Sequence, residues 1–337
     1  MNVIIVDEGF TGALESKLEQ AVNKLIEDAK DAGVPMNKLI KLTVFLKTDD
    51  ENELNEVREE LISLNEKYLS KNIPAGTVLS QPPLSGNDVM LEAVFSDDDD
   101  IRIERSIFNK HPYVVLASGT KGPRLVISGG LISPGNRDFV FECQRVFDFA
   151  EQLLLKEDLD FSHITDQRNY IPSMFDESRY GDEDTVNVGI FDSIRSLYFD
   201  PEMFKGKSIP GFTATGTKTG NVTIDFTALA EALPEQEGSE EKNVMPFTGL
   251  FTAAQLTDVQ ERDVEGQARQ MINSIAEQTG RENDVTEVTY LRVYLKDGAD
   301  LPVVKNVIDQ NIKAGNIVYL EAPMHDEKMK VYMEAIK

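Results

Sequence analysis

The chain of 337 residues contains no tryptophan, one cysteine and three histidines, and 59 aspartates and glutamates far outnumber its 34 lysines and arginines. Each scarcity excludes something. A single cysteine, Cys143, cannot close an intrachain disulfide, so no disulfide framework is expected and a reducing compartment is. His111, His163 and His325 are scattered, and no Cys or His pair has zinc-ligand spacing, so no metal is expected. The net charge of −25 repels phosphate backbones and anionic membranes, which argues against nucleic acid and membrane partners. No run of about eighteen apolar residues exists to span a bilayer. The opening Met-Asn-Val-Ile-Ile-Val-Asp-Glu lacks the basic segment and apolar run of a secretory signal, and a cytoplasmic location is expected. Nucleophile elbow, Walker loop and dinucleotide fingerprint are all missing, so no cofactor is expected.

What is present is a repeat. Leu39 to Lys47, Leu-Ile-Lys-Leu-Thr-Val-Phe-Leu-Lys, alternates with the period of a strand, and Val288 to Lys296, Val-Thr-Tyr-Leu-Arg-Val-Tyr-Leu-Lys, repeats it with a charged residue mid-strand on the opposite face. A weaker copy spans Ile164 to Ile171. Phe45, Tyr170 and Tyr294 then stand 125 and 124 residues apart, a period too long for a solenoid and suited to three tandem domains.

Around each copy the same elements recur. Leu14, Leu18, Val22 and Leu25 form a helical stripe closed by Gly33. Asp49 and Asp50 open a second helix carrying Leu54, Val57, Leu61 and Leu64, and Gly76 to Gln81 and Val89 to Phe95 read as closing strands. The four aspartates at 97–100 read as a solvated linker. The middle unit opens with strands at 101–108, 113–118 and 124–128, breaks at Gly129-Gly130, and continues into a helix from Phe139 to Lys156 whose apolar face includes Cys143, read as a core thiol. A polar loop is expected from Pro172 to Asp184, a helix over 186–198, an irregular connection over 199–209, and closing strands over 210–230. The glutamate-rich stretch 233–243 reads as a second linker. The last unit has an opening segment over 244–252, a helix capped by Asp263, the strand 288–296, a helix from Leu301 to Ala314, and strands at 317–321 and 329–336. These readings give an α+β fold of three domains, 1–98, 101–232 and 243–337, each β-α-β-α-β-β. The middle one carries the longest irregular segments and is the place to look for a site.

The order of elements, with Leu-Val-Ile-Ser-Gly-Gly (125–130), Pro-Ala-Gly-Thr-Val-Leu (74–79) and the endings Met-Leu-Glu-Ala (90–93) and Tyr-Met-Glu-Ala (332–335), resembles the Rid/YjgF family with its chorismate mutase-like fold. Members form homotrimers with ligand clefts between neighbouring subunits, so three such units in one chain imply an intramolecular pseudo-trimer that acts as a monomer. Arg-Asn-Tyr-Ile-Pro (168–172), Tyr180, Asn187-Val188-Gly189 and Pro-Gly-Phe-Thr-Ala-Thr-Gly (210–216) further resemble the central motifs of chorismatases, which cleave the enolpyruvyl ether of chorismate. The resemblance implies a hydrolase or lyase acting on a small carboxylated cyclic metabolite in a cleft between repeats. Departures from the pattern keep two other readings open, a non-catalytic small-molecule binder and an enamine/imine deaminase. The carboxylate-holding arginine of the deaminases falls on Gly76, Phe212 and Ile317, and their acid on Met90, Asp225 and Tyr332. The chorismatase arginine falls on Ile190, and its late cysteine and glutamate on Met324 or His325 and on Tyr332.

The candidate catalytic residues are Asp225, His325 and Tyr332. Asp225 is flanked by apolar residues, so desolvation is expected to raise its pKa into the range of a general acid, and His325 is a candidate proton carrier. The candidate binding residues are Arg168, able to grip a carboxylate through two N–H bonds, with Tyr170, Tyr180, Thr213, Thr215 and Lys218 supplying hydroxyls and an ammonium.

Overall fold

The computed structural model describes residues 1–119, 122–133, 138–230, 252–253, 263–279 and 286–336. Its first sheet is built from β1 (Asn2–Val6), β2 (Leu39–Leu46), β3 (Ala75–Leu79) and β4 (Val89–Phe95), in the order β1-β4-β2-β3. Helices α1 (Leu14–Asp31) and α2 (Glu51–Leu64) cross over one face, and their apolar stripes pack on Leu42, Val44 and Leu46 of β2. Asp50 caps α2 by accepting the Asn52 N–H at 2.7 Å. Gly33, at φ +70°, supplies the left-handed residue that lets the chain leave α1.

The middle sheet runs β12-β9-β13-β7-β6-β5, with β8 also on β13. Its strands are β5 (Ile101–Phe108), β6 (His111–Ser118), β7 (Arg124–Ser128), β8 (Leu131–Ile132), β9 (Ile164–Pro172), β12 (Ala214–Thr217) and β13 (Thr223–Ala230). Helices α3 (Phe139–Lys156), α4 (Asn187–Tyr198) and the short α5 (Pro201–Phe204) complete this part. Cys143 is fully buried on α3, and burial pushes its thiol far up, as expected of a core thiol. The expected polar loop after Pro172 instead holds a hairpin, β10 (Glu177–Tyr180) and β11 (Glu183–Val186), turning at Gly181. Its residues are almost all polar and carry no apolar alternation, so the period that marks a strand is missing from the sequence.

The last sheet runs β14-β17-β15-β16, from β14 (Thr252–Ala253), β15 (Thr286–Leu295), β16 (Ile312–Glu321) and β17 (Val331–Ile336), with α6 (Val264–Thr279) and α7 (Leu301–Asn311). The helix expected to reach Ala314 stops at Asn311, because Ile312 already pairs in parallel with Thr286. The 233–243 linker, the boundaries at 232 and 243, and most of the 244–252 opening segment lie outside the described residues.

All eight residues of β2 are buried. An alternating strand in a two-layer antiparallel sheet commonly leaves one face in water. Here helices cover one face and the neighbouring sheets the other. Phe45 and Met90 share a core cluster with Tyr170 of the middle sheet and with Tyr290, Tyr294 and Tyr332 of the last. The first and middle sheets meet backbone to backbone, with the Gly130 N–H donating to the Gly76 carbonyl at 2.9 Å. A β-carbon at Gly129 would lie 2.6 Å from the Gly76 oxygen and 2.8 Å from that of Pro112. Gly129→Ala is therefore expected to cost about 1–3 kcal/mol in denaturant unfolding, by forcing these backbones apart.

Candidate functional site

Strand pairing places one carboxylate on each closing strand opposite the middle of each repeated strand: Glu92 faces Thr43, Asp225 faces Arg168, and Glu334 faces Arg292. This corrects the expected grouping of Asp225 with Met90 and Tyr332. The acids of the Glu-Ala endings are its counterparts, two residues further on.

These groups link the sheets. Lys41 of β2 pairs with Asp225 of β13 at 2.5 Å. Arg168 of β9 pairs with Glu334 of β17 at 3.3 Å and with Asp166 at 3.0 Å. Arg292 of β15 holds Glu92 of β4 at 2.6 and 2.7 Å and Glu334 at 2.9 Å. Each sheet thus sends a cation to a carboxylate of another, in the sense first to middle, middle to last and last to first. Lys41, Arg292 and Glu92 were not singled out from the sequence. Their only signal was a charge in the middle of an otherwise apolar strand.

The cluster contains four carboxylates, Glu92, Asp166, Asp225 and Glu334, and three cations. Asp166 is the acid whose pKa is raised: burial pushes it up, and nearby Glu334 and Asp225 add to this against Arg168 and Lys41. A raised folded-state value means that the native chain binds the extra proton. Asp166 should therefore cost stability as pH rises above about 3.8, its ordinary value, toward the folded value. Asp166→Asn is expected to remove that fall, read as unfolding midpoint against pH.

Asp225 does not behave as a general acid requires. It is 1% exposed, and burial alone would raise its pKa, but the Lys41 ammonium and the Arg168 and Arg292 guanidiniums together hold it below its ordinary value. Its carboxylate accepts from Lys41 and from the Thr77 hydroxyl at 3.3 Å. The desolvation reading failed because the compensating cation comes from a strand 184 residues away.

Between the middle and last sheets lies a cavity of about 10 Å3, lined by Arg168, Tyr170, Thr213, Thr215, Tyr332 and Glu334 among others. That is room for about one water. Five of these residues were expected in the site, and Glu334 was not. The Tyr170 and Tyr332 side chains are 1% and 2% exposed; the Tyr170 hydroxyl has no hydrogen-bond partner among the described residues, and the Tyr332 hydroxyl has only the Thr213 side chain beside it. Burial pushes both phenols well above their ordinary pKa, so both remain protonated donors. The strand β12 that carries Thr215 is held closely. The Gly216 N–H donates to the Pro323 carbonyl at 2.7 Å, the His325 N–H to the Ala214 carbonyl at 3.0 Å, and the Asn169 amide to the Thr213 carbonyl at 2.7 Å.

The remaining expected residues lie off the cavity. His325 stacks edge-on against Phe212 at 5.6 Å, and burial lowers its pKa, so it is neutral near pH 7. Tyr180, half-buried, packs against the helix-side core of the middle sheet. The Lys218 ammonium pairs with Glu321 at 2.8 Å on the surface. In the Asn-Val-Gly motif, the Asn187 side chain donates to the Ser173 carbonyl at 3.0 Å and pins the start of α4.

Fold and site together define a mixed α+β protein in which three sheets with helices on their outer faces converge on a buried charge cluster beside one small polar cavity. The fold is that of a solved chorismatase, with a TM-score of 0.59 at 14% identity over 89% of this chain and 92% of that one. A cyanuric acid hydrolase from A. caulinodans aligns over 100% of this chain and 99% of its own at 7% identity, TM-score 0.46. The protein YJGH aligns with 36% of this chain over 83% of its own length at 19% identity, TM-score 0.25. No protein-family model matches the chain, and no curated protein matches it. Among the described residues no helix is long and apolar enough to cross a membrane.

Proposed function

We propose that this chain is a hydrolase of small, carboxylated, cyclic metabolites, acting in the cavity between the middle and last sheets. The observation that carries the reading is the pair of buried phenols beside the Arg168 guanidinium and the Glu334 carboxylate, Tyr170 with an unpartnered hydroxyl and Tyr332 with only the Thr213 side chain beside its own. A buried donor left unsatisfied costs about 1–3 kcal/mol. Two such phenols beside a guanidinium are accounted for by an oxygen-rich ligand that receives their protons. The chorismatase-like fold supports the same reading.

In this proposal Arg168 exchanges Glu334 for the substrate carboxylate and the two phenols orient the ring oxygens; the released Glu334 takes a proton from the attacking water, whose oxygen bonds to the carbon of the C–O bond that breaks, and passes it to the departing oxygen. A ring does not fit a cavity of about 10 Å3, so β12 and β17 part on binding. Asp225 stays with Lys41 and holds the sheets together. The units 1–98, 101–232 and 243–337 would form the pseudo-trimer, with the sheet-to-sheet ion pairs circling its axis.

A second reading, a binder without chemistry, is favoured by one feature: Arg168 already has two carboxylate partners in the closed form. The imine deaminase reading has less support, because Phe212 stands where the family's arginine is expected and packs on Phe191 and His325. Incubation with chorismate, followed by mass spectrometry, tests the first reading. Release of pyruvate is expected, with a dihydroxycyclohexadiene carboxylate by hydrolysis or a hydroxybenzoate by elimination. Thermal stabilisation without turnover would select the binder, and neither effect would overturn both.

A further inference from the structure

We infer that Gln81, which belongs to the first sheet's side of the molecule, is a positioning residue for the cavity between the other two sheets: it fixes the Thr215 hydroxyl as a hydrogen-bond donor to the ligand. The inference rests on reading that cavity as the ligand site.

Gln81 follows β3 and is fully buried. Its side-chain Nε2 donates to the Gly216 carbonyl at 2.8 Å and to Thr215 Oγ1 at 2.9 Å. A carbonyl only accepts, so the amide cannot be turned round, and both amide protons are spent. Thr215 Oγ1 must therefore accept from Gln81. That is the one side-chain hydrogen bond of Thr215 among the described residues, which leaves its own proton unspent. Thr215 is 3% exposed and lines the cavity together with Tyr332 and Glu334, on the strand register that pairs it with Tyr170. Its proton therefore joins those of the two phenols and the guanidinium, making the cavity rich in donors and suited to a carboxylate or ether oxygen. The neighbouring backbone contact, from the Lys218 N–H to the Ser80 carbonyl at 2.8 Å, clamps the same strand to the same segment of the first sheet's side. Without the amide, the hydroxyl would lose the donor that fixes its orientation.

A residue that acts only through Thr215 must lose its effect when Thr215 has no hydroxyl. The test is a double-mutant cycle on chorismate affinity, measured by calorimetry with the full chain: Gln81→Met, Thr215→Val, both together, and Gln81→Met in a Thr215→Ser background, each with its thermal unfolding curve. Gln81→Met and Thr215→Val are each expected to weaken binding about tenfold, the loss of one hydrogen bond to a charged or polar ligand. The double variant is expected to bind like Thr215→Val alone, and the Ser background to restore the tenfold sensitivity to Gln81→Met. Losses that multiply to about a hundredfold, or a Gln81→Met variant that binds like wild type, would overturn the inference and leave the cavity assignment standing. Wild-type chain that does not bind chorismate at all would overturn the inference together with that assignment.

Discussion

Arg292→Met is expected to lower the free energy of unfolding by about 3–5 kcal/mol, the largest stability loss of any single side chain considered. Arg292 is 0% exposed, and its guanidinium donates to both oxygens of Glu92, to Glu334 at 2.9 Å and to the Tyr294 hydroxyl at 3.0 Å. Methionine fills much of the same volume, so the loss measures charge and not a void. What remains is Glu92, equally buried, with the Tyr290 hydroxyl as its main partner. An uncompensated carboxylate in such a place carries the full cost of its desolvation, which the guanidinium had offset. The same reasoning predicts rescue. Arg292→Met with Glu92→Met should recover more than half of the loss, because an ion pair replaced whole by apolar groups is close to neutral. Urea unfolding of the two variants checks this. A single variant within about 1 kcal/mol of wild type would mean that the cluster is not what joins the last sheet to the first.

The second large effect concerns binding. Arg168→Lys is expected to weaken binding of a carboxylated ligand about a hundredfold while largely sparing the fold, because an ammonium keeps the charge and loses the two parallel N–H bonds. Tyr332→Phe separates site from scaffold more sharply. Its hydroxyl has only the Thr213 side chain to lose, so removing it should leave stability within about 1 kcal/mol of wild type while binding falls. A structural tyrosine would show the opposite pairing. Thermal unfolding and chorismate affinity, measured on the same two proteins, distinguish them.

The framework was legible because its signals are local. The helical stripes at Leu14–Leu25 and Leu54–Leu64, the Asp50 and Asp263 caps and the Gly33 exit depend on neighbours within a few residues, and each appears where expected. The correspondence of Phe45, Tyr170 and Tyr294 also reappears, since these residues face Met90, Thr223 and Tyr332 in the same register of three sheets. The cavity was partly legible for another reason: Arg168, Tyr170 and Thr215 lie on two strands that pair directly, and Thr213 immediately precedes the second.

What escaped depends on contacts across sheets. Alternation in Leu39–Leu46 shows that its faces differ but not that both are buried, so nothing in the sequence marked Lys41 as the partner of Asp225. Glu92 and Glu334 were noticed as parts of Glu-Ala endings, yet their charge acquires meaning only when Arg292 and Arg168 arrive from elsewhere in the chain. The error at Asp225 has the same origin. Burial was visible from its apolar neighbours, whereas the compensating ammonium was not, and the compensation decides the direction of the shift. Gln81 was missed most completely, since nothing near it in sequence marks it as touching a strand 134 residues away.

The measurement that bears most directly on this account is a crystal structure of the chain grown with chorismate or a cyclic carboxylate analogue. The account predicts the ligand between β9, β12 and β17, its carboxylate on the Arg168 guanidinium in place of Glu334, with the Tyr170, Tyr332 and Thr215 hydroxyls donating to its oxygens. A ligand bound elsewhere, for example in the surface groove beside Lys296, Lys328 and Lys330, with the Arg168–Glu334 pair intact, would contradict it.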